Sequence, residues 1–381
     1  MSKKALIAMS GGVDSSVSAA LMQEAGWDCV GVTMKLYDKK TASQKENGAD
    51  QASACGSTQE TEDARKVAEQ LGIPYSVVDF SEEFHREVIE RFIRTYEEGG
   101  TPNPCIECNR YMKHAKLFHK AEELSCDVIV TGHYARIAKD PETGRYLLKK
   151  ARNLAKDQSY VLYFMSQEQL QHTVFPLGDF SSKDEVRAAA EKYGFTNAHK
   201  HDSQDICFVD GDYADFIEAE RGKKFLPGEF VDEDGHVLGE HKGIIRYTIG
   251  QRTGLGLSLK QPMYVCGKDM EKNKVILTTG AALYSEALIA DHFNWIPFPG
   301  DRPEGPVHCM AKTRYKAKEA PATAEVLPDG KVKVTFETPE RAIAIGQAVV
   351  LYDGDLVLGG GTIVQAQAGE SHYSNANCTG I

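Results

Sequence analysis

Lys4-Ala5-Leu6-Ile7-Ala8-Met9-Ser10-Gly11-Gly12-Val13-Asp14-Ser15-Ser16 is the stretch that decides how the first half of the chain is read. The apolar run Lys4 to Met9 has the length and composition of a buried strand, and Val13 to Glu24 carries a helical pattern. Two glycines between them let the backbone approach an anion closely. The following amides and the positive end of the helix would face that anion, with the hydroxyls of Ser10, Ser15 and Ser16 as further donors. Asp14 and Ser15 are expected to lie on an exposed turn. The lysine of a Walker A loop is missing, which excludes the usual kinase or GTPase cradle.

The alternation continues outward from this junction. A β-rich run, Cys29 to Met34, is followed by a polar segment from Tyr37 to about Glu60, read as a loop. A helix through Ala64 to Leu71, the strand Tyr75 to Phe80, a helix from Glu82 to about Glu97 and a buried-type strand at Cys126 to Thr131 complete the pattern. Strands separated by helices predict a parallel sheet covered on both faces. After Thr131 the pattern changes to a hairpin, Tyr134 to Lys149, and helical stretches at Gln167 to Gln171 and Lys183 to Tyr193. From Gly228 onward short strands alternate with turns such as Asp234-Gly235 and Asp353-Gly354, the spacing of small β domains or barrels. Boundaries are placed near residues 211 and 284, giving segments 1–211, 212–283 and 284–381.

A chain of 381 residues is too long for one ordinary core. With 41% hydrophobic and 26% charged residues and no apolar run of membrane-spanning length, it reads as a cytoplasmic protein with no membrane partner. The opening apolar stretch breaks at Ser10-Gly11-Gly12, which speaks for a first strand and against a signal peptide. Net charge is −11, against general electrostatic binding of nucleic acid. Yet Asn109 to Lys156 holds eleven Lys and Arg against five Asp and Glu, which fits an RNA held at one place or an ordinary solvated face.

Nine cysteines, odd in number and scattered, predict reduced thiols rather than a disulfide scaffold. Thr101-Pro102-Asn103-Pro104-Cys105-Ile106-Glu107-Cys108-Asn109 precedes a helical stretch at Tyr111 to Glu123, so Cys105 and Cys108 are expected at or near a helix N-terminus, where a thiolate is favoured. A structural zinc would want a second such pair, and none exists. Cys207 stands between Ile206 and Phe208, a setting that suits buried packing as well as chemistry. Cys29, Cys126, Cys266 and Cys309 sit in β-like runs and are read as structural; Cys55 and Cys378 have no reading.

The heptad Ser10 to Ser16 resembles the pyrophosphate loop of the ATP pyrophosphatase group. With Asn103-Pro104 to Cys108-Asn109, Thr131-Gly132-His133-Tyr134-Ala135-Arg136, Lys156-Asp157-Gln158-Ser159-Tyr160 and Asp202 to Phe208, the likeness extends to the tRNA-specific 2-thiouridylase family. Tyr247 to Arg252, Arg314-Tyr315 and Gly346-Gln347 before Tyr352-Asp353-Gly354-Asp355 carry it along nearly the whole chain.

The resemblance implies a nucleotide domain, a small central β domain and a C-terminal β-barrel. It implies an enzyme that transfers adenylate from ATP, with Mg²⁺, to O2 of the wobble uridine of tRNA and replaces that oxygen with sulfur, releasing AMP and pyrophosphate. Ala8, Met9, Ser10, Gly11, Gly12, Val13, Asp14 and Ser15 would hold ATP, with Met34 and Gly132 on the adenosine. Cys108 would be the nucleophile and Cys207 would carry persulfide sulfur, supplied by a cysteine desulfurase directly or through a relay protein. Asn103, Pro104 and Cys105 would face the target base; His133, Lys156, Asp157, Gln158, Arg314, Tyr315 and Gln347 would contact tRNA. Position 105, usually Asp in the family, is Cys here, which opens a second arrangement: Cys105, Cys108 and Cys207 as ligands of an iron–sulfur cluster. Two rivals stay open. An ATP pyrophosphatase acting on a small molecule would need neither paired thiols nor RNA-facing β domains, and a non-catalytic RNA-binding protein would not need the loop.

Overall fold

The computed structural model describes residues 3–37, 58–200 and 206–367. Cys55, Cys378 and residues 202–205 of the Cys207 motif lie outside the described residues. The chain divides into two compact units. The first comprises 1–90, 104–210 and 355–357; the second comprises 91–103, 211–354 and 358–381.

In the first unit, β1 (Lys4–Ala8), β2 (Asp28–Lys35), β3 (Tyr75–Asp79), β4 (Val128–Val130) and β7 (Thr173–Val174) form one sheet in the order β3-β2-β1-β4-β7. Every pairing is parallel, as the βαβ pattern predicts. β1 is central, so Ala5, Leu6 and Ile7 are fully buried and the strand reads as a continuous apolar run. Helix α1 (Val13–Glu24) packs beside β1 and against α8 (Lys183–Lys192), burying Val13, Val17, Ala19 and Ala20. Its serines are buried because each hydroxyl returns to a backbone carbonyl: Ser15 and Ser16 to Gly12 O at 3.0 Å, Ser18 to Asp14 O at 2.8 Å. Helix α2 runs Thr58–Leu71, so Thr58 to Glu60, read from sequence as loop, are helical.

The segment from Ser81 is α3 (Ser81–Phe84), a π-helical turn (His85–Ile89) and α4 (Glu90–Glu97). The expected helix at Tyr111 begins earlier. It starts as α5 (Pro104–Glu107), passes through a second π-helical stretch (Cys108–Lys116) and ends as α6 (Leu117–Glu123). Proline suits a first helical position, because its φ is preset and its missing N–H has no helical partner there. The wider π winding shows at its exit, where Leu117 N–H bonds Met112 O, five residues back. The hairpin is present as β5 (Ala135–Lys139) and β6 (Tyr146–Lys150).

The second unit opens with residues of α4, whose Tyr96 stacks on Tyr213 of α9 (Tyr213–Arg221) at 4.5 Å while Glu97 pairs with Arg221 at 2.8 Å. A four-stranded sheet follows, in the order β10 (Tyr264–Asp269), β11 (Lys274–Thr278), β8 (Gly228–Val231), β9 (Val237–His241). Beyond it β12 (Tyr284–Trp295), β15 (Val332–Arg341), β14 (Ala320–Val326), β13 (Val307–Lys312), β16 (Ala348–Asp353) and β17 (Leu356–Gln367) follow one another, and β12 pairs with β17 to close a barrel. A parallel-sheet nucleotide domain, a small central β domain and a C-terminal β-barrel are thus the fold class the sequence predicts. No helix among the described residues is long and apolar enough to cross a membrane.

Candidate active site

The loop between β1 and α1 keeps Ser10 exposed and Gly12 half-exposed. Gly11 has φ +73° and lies so close to α2 that a Cβ would fall 2.2 Å from Glu60 O. A Cβ on Gly12 would meet only Ser10 Oγ, at 3.5 Å, so that glycine's face is open to an incoming group. Ser15 Oγ accepts from Ser10 N at 3.2 Å while donating to Gly12 O, which holds the loop against the helix start. Gly132 abuts the same place: a Cβ there would lie 2.9 Å from Asp14 Cβ and 3.0 Å from Ser15 N. Met9 is anchored by its N–H to Val32 O at 2.9 Å and by Thr33 Oγ1 donating to its carbonyl at 2.6 Å. Met34 follows on β2, half-buried.

The exposed-turn expectation fails for two loop residues. Ser15 is 3% exposed. The Asp14 carboxylate accepts from Lys183 Nζ at 2.8 Å on both oxygens and from Tyr134 Oη at 2.7 Å. Lys183 opens α8 behind the N-cap Ser182, and its ammonium also lies 5.8 Å from the Tyr134 ring centre. A second lysine arrives from the chain just past α8. Lys200 Nζ donates to Asp63 at 2.8 Å and to Gly11 O at 3.4 Å, while buried Asn197 donates to Gly11 O at 3.1 Å and to Ser16 Oγ at 2.9 Å. The loop that lacks a Walker lysine in sequence therefore has two lysines beside it in space. Motif spacing could not find them, since they lie 169 and 189 residues away.

Cys105 is exposed in the first turn of α5, and Cys108, half-buried, begins the π-helical stretch. Cys207 is half-buried, and its neighbour Phe208 packs edge-on against Phe84 at 5.6 Å, with Tyr37 at 6.5 Å. Phe84 ends α3, which lies against the Cys108 stretch, so Cys207 is tethered to the element that borders Cys108. Cys29 and Cys266 are buried as structural thiols; burial, the Asp28 charge and Cys126 push the Cys29 thiol up to about 11. Burial pushes Cys309 up to about 12.

Lys113 and His114 of the π-helical stretch meet His133 in a buried polar cluster, whose His114 the sequence reading did not single out. His133 is 5% exposed, its Nδ1 2.7 Å from Thr131 Oγ1 and its Nε2 3.5 Å from Lys113 Nζ. A lysine only donates, so Nε2 accepts and Nδ1–H donates to the threonine. His114 is fully buried between His133, Phe164 and Phe175, and neither ring nitrogen has a hydrogen-bond partner among the described residues. Burial and then the Lys113 charge pull His114 down to about 3, and the same causes, with His114, hold His133 well below its ordinary range. Both rings are neutral near pH 7.

Four residues expected on tRNA bond within the protein in this structure, with His133 buried and Asp157, Gln158 and Gln347 half-buried. Asp157 accepts from Ala151 N at 2.9 Å and Ser159 Oγ at 2.7 Å, and Gln158 exchanges bonds with the Tyr134 backbone at 2.9 and 2.8 Å. Gln347 donates to the carbonyls of Thr101 and Pro102. These polar side chains bond partly buried backbone groups, a demand that short motifs do not display. Lys156 is half-exposed, and Arg314 and Tyr315 are exposed, with Lys312 Nζ 5.6 Å from the Tyr315 ring.

Residues 3–211 match the family model described as tRNA methyl transferase HUP domain, 214–279 the tRNA methyl transferase PRC-barrel domain, and 285–363 the aminomethyltransferase beta-barrel domain. The tRNA-specific 2-thiouridylase MnmA of Clostridioides difficile is 47% identical over 95% of this chain and 98% of its own length. Those of Acetivibrio thermocellus and Moorella thermoacetica are 48% and 49% identical over 95% and 94% of this chain, and 99% and 98% of their own lengths. With relatives this similar along almost the full length of both partners, the chain belongs to the tRNA-specific 2-thiouridylase family.

Proposed function

We propose that the protein is a tRNA-uridine 2-sulfurtransferase: it adenylates O2 of the wobble uridine with ATP and replaces that oxygen with sulfur. The observation that carries the reading is the joint presence, in one unit, of an anion-binding strand–loop–helix junction and a helix opening on Cys105 and Cys108. Uracil oxygen is a poor leaving group and AMP a good one, so a loop that grips phosphates and cysteines that carry a transferable sulfur serve one reaction. Neither a small-molecule ATP pyrophosphatase nor a passive RNA-binding protein needs both.

Ala8 to Ser15 would hold the ATP phosphates, with Met34 and Gly132 at the adenosine. The open face of Gly12 and the exposed Ser10 suit pyrophosphate, and Lys183 and Lys200, which bond Asp14 and Gly11 of the loop, are the cations that would offset its charge. Asp14 is the loop's carboxylate, an oxygen donor of the kind Mg²⁺ takes. Asn103, Pro104 and Cys105 would face the base. Lys156, Arg314 and Tyr315 would contact tRNA. Cys105, exposed, and Cys108 and Cys207, half-buried, are soft thiols that would be the ligands of an iron–sulfur cluster, which when bound would supply a site for sulfide. The competing route places persulfide sulfur on Cys207 with Cys108 as its thiol partner. In either case a cysteine desulfurase or relay protein would deliver sulfur, in the cytoplasm. The segments 1–211, 212–283 and 284–381 are proposed as the domains, and the three matched models fall within them.

Pyrophosphate release tests the reading. It should require tRNA and a sulfur source together; release with a small amide-forming substrate and no RNA would favour the small-molecule rival.

A further inference from the structure

Asp14 is the second residue of α1, a helix with no side-chain cap, and its carboxylate stands in the loop that would meet phosphates. A carboxylate in the first turn of a helix is drawn toward the helix's own amide end, the end an incoming anion needs. Two partners hold Asp14 instead. Lys183 Nζ donates to both carboxylate oxygens at 2.8 Å, and Tyr134 Oη donates to Oδ1 at 2.7 Å. A lysine ammonium is a point charge with rotatable donors on a flexible stem, so it balances the carboxylate without fixing its direction. A phenol is a rigid ring placed by two torsions, so its oxygen does fix a direction.

The Tyr134 ring is buried, and the backbone that carries it is held on both sides. Tyr134 N–H donates to Gln158 Oε1 at 2.9 Å, and Gln158 N–H donates to Tyr134 O at 2.8 Å. Gln158 leads directly into the 3₁₀ turn Ser159–Leu162, whose Ser159, Tyr160 and Leu162 are fully buried. Gly132, two residues before Tyr134, abuts Asp14 so closely that a Cβ there would lie 3.0 Å from the Asp14 carbonyl carbon. The Lys183 ammonium lies 5.8 Å from the Tyr134 ring centre, within cation–π range, so one side chain touches both members of the ion pair. All of these residues belong to the first unit.

Resting on the reading of Ala8 to Ser15 as an ATP-phosphate loop, we propose that Tyr134 is a positioning residue for the nucleotide: its hydroxyl fixes the direction of the Asp14 carboxylate, and through it the place of the Lys183 ammonium, before ATP arrives. Without the hydroxyl the carboxylate and its lysine turn together as a loose pair. Binding must then order them, and that ordering is subtracted from affinity. Tyr134 thus acts through Asp14.

The test is a double-mutant cycle on the full-length chain, read as the Kd for α,β-methylene-ATP with Mg²⁺, an analogue that is not cleaved between its α- and β-phosphates, titrated into the millimolar range. Tyr134→Phe keeps the buried ring and removes one oxygen, and Asp14→Ala removes the group that oxygen holds. Tyr134→Phe should weaken analogue binding about tenfold, the lower end of the worth of a hydrogen bond to a charged group. In the Asp14→Ala background the same change should alter Kd by less than about twofold, because the carboxylate is already gone. A general loosening of the fold would not produce that difference between backgrounds. An unchanged Kd in Tyr134→Phe overturns the proposal. So does an equal loss in both backgrounds, which would place the action of the hydroxyl elsewhere than on Asp14. A wild type that binds the analogue but releases pyrophosphate from ATP without tRNA would remove the thiolation reading and leave the cycle to decide on Tyr134; a wild type that binds no analogue would end both.

Discussion

His114 is an acid-labile point built into the helix that carries Cys108. Its ring is fully buried, its nitrogens find no partner among the described residues, and burial with the Lys113 charge lowers it from 6.5 to about 3. Below pH 6.5 the unfolded chain binds a proton there that the folded chain refuses, so this residue's contribution to stability is full above 6.5. It is lost progressively as pH falls toward 3 and changes no further below that. At pH 4.5 the mismatch spans two of the 3.5 pH units, which at about 1.4 kcal/mol per unit is about 3 kcal/mol. His114→Leu removes the titrating ring and two unsatisfied nitrogens at similar volume, so near pH 7.5 it should cost less than about 1 kcal/mol. Native-state hydrogen exchange of peptides covering 108–123, at pH 4.5 and 7.5, gives the opening free energy of this helix in each protein. Wild type should lose about 3 kcal/mol more than His114→Leu between the two pH values. Equal losses would refute the assignment of acid sensitivity to His114.

Lys183→Met should cost about 2 kcal/mol, the worth of hydrogen bonds to a charged group, and should slow pyrophosphate release well beyond what thermal melts explain. Wild-type turnover would remove Lys183 from the nucleotide site. Cys108→Ser and Cys207→Ser should each stop thiolation. Cys105→Asp separates the two sulfur routes under anaerobic iron and sulfide analysis: loss of iron with loss of single-turnover thiolation supports the cluster, whereas a fully active, iron-free wild type ends it. Lys156→Ala and Arg314→Ala should each weaken tRNA binding and flatten its salt dependence by about one unit per lost contact; unchanged slopes in both would move the RNA elsewhere.

Much of the fold was legible because it is set locally. The run Lys4 to Met9, the glycine pair and the helical pattern after Val13 announce a strand, an anion loop and a helix, and repetition of that unit announces the parallel sheet. The helix starts at Pro104, ahead of the Tyr111 the sequence predicts, because proline's preset φ and missing N–H suit a first helical position. The site was legible only where its chemistry is contiguous. Lys183, Asn197 and Lys200 reach the loop over long sequence separations, with no local sign of it. Likewise, no motif shows that Asp157, Gln158 and Gln347 bond backbone groups, or that His133 is buried. A single sequence shows which residues could bond; it does not show which carbonyls need them.

The central claim is that ATP cleavage and sulfur insertion are one reaction on tRNA. The most direct measurement incubates wild-type protein with ATP, Mg²⁺, purified tRNA and a cysteine desulfurase with cysteine as sulfur source under anaerobic conditions, then counts AMP, pyrophosphate and thiolated nucleoside in one sample. The account predicts equimolar AMP, pyrophosphate and 2-thiouridine, with the new nucleoside confined to the wobble position and none of the three formed when tRNA is withheld. AMP and pyrophosphate produced without any thiolated nucleoside, at the same rate with and without tRNA, would contradict it.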